Sequence, residues 1–135
     1  MMNLVDLQGK RILVTQADAF MGPVLCEVLA ECGAKVIADT GPLLTPERIE
    51  SLIQKAGHID VLIANLAIPA PNTQAVEATD DEWESVFAHM VTPLPRLVRA
   101  VLPQMIERRA GKILLMGSAS ALRGMKRRST YSAAR

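Results

Sequence analysis

Four short apolar runs, at residues 12–15, 36–38, 59–64 and 113–116, alternate along the whole chain with stretches of helical periodicity. Each run is rich in Ile, Leu and Val and lacks the polar alternation of a strand with one wet face. That is how strands covered on both sides read, and such strands belong to parallel sheets. Parallel neighbours need long crossovers, and the helical stretches supply them as βαβ units. The fold class predicted is therefore α/β, a doubly wound parallel sheet.

The helices carry their own punctuation. Pro23 suits the first turn of a helix whose apolar face is Leu25, Val28, Leu29 and Cys32, and Gly33 stops it. Thr45-Pro46 opens a second helix that Gly57 closes. Thr79-Asp80-Asp81-Glu82 has capping-box spacing and starts a third, with Trp83, Val86, Phe87 and Met90 on one face. A fourth spans about 93–110, with Pro103 inside as an expected kink. A fifth begins near Tyr131, just before the last residue, Arg135. Four strands ending this way are expected to leave one face and one edge poorly covered. The 135 residues suit a single domain, 1–135, expected to be the N-terminal part of a longer fold.

Composition narrows the partners. Fifteen basic against fourteen acidic side chains give a net charge of +1, so nothing attracts nucleic acid or a charged membrane. Lys126-Arg127-Arg128 reads as a solvated loop. Cys26 and Cys32 lie six apart in one helical pattern and form no metal-ligand or disulfide framework. The N-terminal MMNLVDLQGKR has no apolar signal core, and no run nears the roughly eighteen residues of a membrane span. A cytoplasmic protein is expected.

In doubly wound folds, ligands sit outside the carboxyl ends of the strands. The segments falling there are TQADAFMG at 15–22, Asp39, Ala64-Asn65-Leu66-Ala67, Gly117-Ser118, and Tyr131 with Arg135. Tyr131 and Arg135 are spaced i, i+4 and share a helix face. A guanidinium is always charged, and beside a phenol it favours the phenolate. Ser118 lies thirteen residues before Tyr131, on the facing strand end. A hydroxyl donor next to a phenolate can grip an alcohol and take its proton. Ile68, Pro69 and Leu122 are placed to border a substrate pocket. Asn65 is read equally as a group that satisfies backbone across the sheet, and His58 and His89 are assigned no chemistry.

HIDVLIANLA, DEWESVF, LPQM followed by GKILLMGS, and YSAAR together resemble the short-chain dehydrogenase/reductase superfamily over essentially the whole chain. The resemblance implies a Rossmann-like sheet and puts the family's catalytic serine and tyrosine on Ser118 and Tyr131. The departures are specific. The family lysine is Arg135, the glycines of TGxxxGxG are Gln16, Phe20 and Gly22, and the catalytic helix asparagine falls at Met90. One short helix joins the second and third strands, where the family has an extra strand. Without the glycines a backbone cannot approach a pyrophosphate.

A Ser-Tyr-Arg set with an aromatic residue in a glycine slot resembles one branch of the superfamily, the halohydrin dehalogenases, especially the B-type enzymes. That resemblance implies no cofactor and a Phe20 that plugs the cofactor site and lines a halide pocket. It implies Ser118, Tyr131 and Arg135 as the triad converting a haloalcohol to an epoxide with release of halide. It implies a homo-oligomer, dimer or tetramer. The alternatives are an NAD(P)-dependent oxidoreductase of the parent superfamily and a non-catalytic relative.

Overall fold

The computed structural model describes residues 6–135; the first five residues of the N-terminal segment lie outside it. Ten elements follow one another as β1 (Arg11–Val14), α1 (Gly22–Glu31), β2 (Lys35–Ala38), α2 (Pro46–Ala56), β3 (Val61–Ala64), α3 (Asp80–Met90), α4 (Pro93–Arg108), β4 (Lys112–Leu115), α5 (Ser120–Arg123) and α6 (Ser129–Ala134). The four strands form one parallel sheet in the order β2-β1-β3-β4. The strand order reverses between β1 and β3, so the crevice for a ligand opens above Thr15 and Asn65.

Both faces are covered around β1 and β3, as their unbroken apolar sequences require. On one face Leu13 and Leu62 pack with Leu52 of α2 and Leu97, Val101 and Met105 of α4. On the other, Ile12, Val14 and Ile63 meet Leu25, Cys26 and Leu29 of α1. Val28, expected on that inner face, is half exposed, because the helix turns Cys26 inward instead. Burial pushes the Cys26 thiol above its ordinary titration range. At the β4 edge Leu114 and Leu115 are exposed, which agrees with the expected uncovered edge.

The helix signals act locally. The Thr45 and Thr79 hydroxyls accept the backbone N–H groups of Arg48 and Glu82. The capping box at Thr79 is only half made, because the Glu82 carboxylate accepts instead from the Thr130 hydroxyl at 2.8 Å. α4 runs unbroken through Pro103, which lies on its exposed side. No described helix is long and apolar enough to cross a membrane.

Arg11 ties β1 to the entrance of β3. Its backbone N–H donates to Asp60 at 2.8 Å, and its guanidinium donates to the carbonyls of Ala56 and His58. The Arg11 N–H, then the His58 ring at 2.9 Å, hold the Asp60 carboxyl below its ordinary 3.8. A carboxyl depressed by folding stabilises the native state above the unfolded value, and the contribution fades as pH falls through the folded value. Asp60→Asn is therefore expected to lower the melting temperature near neutral pH. Its melting temperature should also fall less steeply below about pH 4 than that of the parent chain, which thermal scans across pH will read.

Candidate active site

The turn after β1 shows what became of its missing glycines. Gln16 has φ 44° and Phe20 has φ 52°, so both side chains stand at left-handed positions where glycine is the ordinary choice. Buried neighbours hold the strained backbone in place. The Gln16 amide donates to the Ala67 carbonyl at 3.0 Å and accepts the Ala67 N–H at 2.5 Å. Asn65, fully buried, donates through Nδ2 to the carbonyls of Gln16 and Ala19 at 3.0 and 2.9 Å. Thr15 Oγ1 donates to the Asn65 carbonyl and accepts its N–H. Asn65 thus satisfies backbone across the sheet, the blander of the two roles open to it. Nothing in the sequence marked Gln16 as its counterpart; a polar residue in a glycine slot was the available signal.

Gly22 remains glycine for a packing reason. A Cβ there would meet the Ala17 backbone at 2.6 Å.

Tyr131 is seated by α6 against α3, its ring among Val86, Met90, Ile68 and Ala70. The Thr130–Glu82 hydrogen bond pins the start of α6 to α3. Arg127 is exposed, as expected, whereas Arg128 is partly buried and structural. Arg127 donates to Asn72, and Arg128 donates to the carbonyls of Ala70 and Pro71, clasping the loop that precedes α3.

Arg135 joins three parts of the site. Its Nε donates to the Tyr131 hydroxyl at 3.0 Å, and its Nη1 donates to the Met116 carbonyl at 2.8 Å. Its guanidinium carbon lies 4.4 Å from the centre of the Phe20 ring and 5.2 Å from that of Tyr131. A stacked cation of this kind is worth about 0.5–2 kcal/mol. Among the described residues its Nη2 has no partner. A cavity of about 120 Å³ opens beside it, walled by Leu66, Met90, Met116 and Gly117. Such a chamber, apolar but for one permanent cation, suits a small anion.

Ser118 follows β4 beside this cluster. Its hydroxyl accepts from the Ser120 N–H at 3.2 Å and bonds the Ser120 hydroxyl at 2.9 Å, with no bond to Tyr131. Ile68 and Pro69 line, with Phe20, a separate cleft of about 510 Å³. Leu122 does not join them. It is 89% exposed on α5, because that short helix turns Ser120 inward and Leu122 to solvent.

The residues at the turn do not fit a dinucleotide. Side chains occupy two positions that a pyrophosphate needs bare, and Gln16 is bonded to the opposite loop. Asp39, placed to hold a ribose, is paired with Arg48 at 2.6 Å.

Residues 43–135 match the short chain dehydrogenase family. The chain belongs to that family. It is 30% identical to the 3-oxoacyl-(acyl-carrier-protein) reductase FabG of Vibrio cholerae, an alignment covering 97% of this chain and 64% of the reductase. The chain thus spans somewhat under two thirds of the length of the curated relatives it first matches. A solved structure titled "Dehalogenation enzyme" superposes with a TM-score of 0.82 at 26% identity, covering 95% of this chain and 62% of that one. A short-chain dehydrogenase from Streptomyces avermitilis superposes with a TM-score of 0.83 at 26% identity, covering 94% and 56%. The altered turn at 15–22 precedes the part that matches the family.

Proposed function

We propose that this protein is a halohydrin dehalogenase, a cofactor-independent carbon–halogen lyase acting on vicinal haloalcohols. The observation that carries the reading is Arg135, bonded to the Tyr131 hydroxyl at 3.0 Å and stacked on Phe20 at 4.4 Å. Arg135 orients the phenol oxygen that takes the proton in this reading, and an aromatic ring stands where a dinucleotide needs glycine. The structural neighbour titled "Dehalogenation enzyme" supports it.

In this reading Ser118, whose oxygen accepts from Ser120, donates its own proton to the substrate oxygen. Tyr131 takes the hydroxyl proton. The alkoxide oxygen attacks the adjacent carbon, the carbon–halogen bond breaks, and the halide leaves with the electron pair as the epoxide closes. Nucleophile and leaving group already sit on neighbouring carbons, so positioning supplies much of the rate. Arg135, in the wall of the chamber of about 120 Å³, borders the departing halide, and the proton on Tyr131 passes to solvent. Run in reverse, protonated Tyr131 serves as the acid while a small anion opens an epoxide. The active form is a homo-oligomer, dimer or tetramer, with no nucleic-acid or membrane partner.

The reductase relative at 30% identity favours a second reading, an NAD(P)-dependent oxidoreductase. One assay separates the two: halide and proton release from a simple vicinal bromo-alcohol with no nucleotide present. Release supports the dehalogenase. No release, together with saturable binding of NADH or NADPH, sinks it in favour of the oxidoreductase.

A further inference from the structure

The cleft of about 510 Å³ lies between the turn after β1, Gly41-Pro42 after β2 and Ala67–Pro69 after β3, with His89 of α3 at one side. Its volume is that of an ordinary small-molecule site. None of Ser118, Tyr131 and Arg135 lines it, but it adjoins the triad, since Arg135 stacks at 4.4 Å on its Phe20 wall and Ile68 packs against Tyr131.

Its walls are chiefly apolar: Phe20, Pro42, Ile68 and Pro69. The polar side chains lining it are Gln16, Asp18 and His89. Gln16 offers a ligand little, since both ends of its amide are bonded to Ala67. The His89 Nδ1 lies 2.7 Å from the Ser85 carbonyl, an acceptor, so Nδ1 carries the proton and Nε2 is left as an acceptor in the neutral ring. Asp18 is exposed and makes no side-chain hydrogen bond among the described residues. Both available side-chain groups therefore accept, one of them is an anion, and no Lys or Arg lines the cleft.

Two further acceptors lie outside the lining. Asn65 Oδ1 and Asp39 Oδ2, just past the ends of β3 and β2, are buried and receive no donor from the described residues. Arg48 balances the Asp39 charge through Oδ1, which leaves Asp18 as the uncompensated charge at the cleft.

We propose that this cleft binds a small apolar amine, an arylalkylamine in chemical class. Its ring packs against Phe20, Ile68 and the two prolines, its ammonium meets Asp18, and a second N–H donates to His89 Nε2. A carboxylate or phosphate in the same place faces Asp18 with no cation among the lining residues.

Calorimetric titration of the full chain with benzylamine, benzyl alcohol and benzoate tests the assignment. Benzylamine is expected to saturate and benzoate to show no binding. Asp18→Asn should weaken benzylamine about tenfold while leaving benzyl alcohol unchanged, as loss of one charge-assisted hydrogen bond predicts. His89→Ala should weaken both by several-fold. Asp18 is exposed and His89 partly so, and matching circular dichroism and melting curves verify that the variants fold. Benzoate binding as tightly as benzylamine overturns the proposal. So does absence of saturation, indifference to Asp18→Asn, or displacement of benzylamine by NADH.

Discussion

Tyr131→Phe is expected to cut halide release by about three orders of magnitude, the range for removing a positioned general base. The substitution deletes one oxygen and keeps the ring, which is held among Val86, Met90 and Ile68, so the fold should survive. The Arg135 Nε donor then loses its acceptor but keeps its contacts with Met116 and Phe20. Arg135→Lys retains the positive charge but not the planar fork, which here reaches a phenol, a carbonyl and a ring together. It is expected to cost about tenfold to a hundredfold, intermediate between the parent chain and Tyr131→Phe. Initial rates of halide release from one bromo-alcohol, measured for all three proteins, decide the matter. Near-full activity in Tyr131→Phe ends the mechanism and points to a chain that works by binding alone.

Gly22→Ala is expected to be the most damaging single-carbon change. Alanine in place of glycine within a helix ordinarily stabilises by about 1 kcal/mol. Here the added carbon would lie 2.6 Å from the carbonyl carbon and oxygen of Ala17 and 2.7 Å from its Cα. Those are backbone atoms, and the Ala17 N–H is itself bonded to the Asp39 carbonyl at 2.7 Å, so the turn cannot yield without straining β2. Overpacking of this kind costs about 3 kcal/mol, more than the helix gain returns. The melting temperature should fall by roughly 10 °C, read by calorimetry or circular dichroism. An unchanged melting temperature would show that α1 can slide away from the turn.

Much of this could be read beforehand. The strands lie within about two residues of the apolar runs, because a strand covered on both faces must be apolar throughout. The helices begin at Thr45 and Thr79 because a hydroxyl there takes an orphan N–H of the first turn. The i, i+4 spacing of Tyr131 and Arg135 did become a contact, since helix periodicity is a local property. Other features depended on partners distant in sequence. The Glu82 carboxylate looked like half of a capping box, yet it bonds Thr130, forty-eight residues away. Arg128 looked solvated, yet it clasps carbonyls more than fifty residues earlier. Leu122 looked like a pocket wall, but the turn of α5 points it outward.

By itself, then, the sequence determined the α/β class, the order of the elements and the residue types at the carboxyl ends of the strands. These follow from periodicity, capping and turn chemistry, which act within a few residues. Only the tertiary structure decided that Gln16 locks onto Ala67, that Phe20 lies against Arg135, and that Asp18 and His89 share a cleft with no cation in its walls. Those pairings join segments brought together by the crossovers of the sheet, and no local rule specifies which side chain a distant backbone will meet.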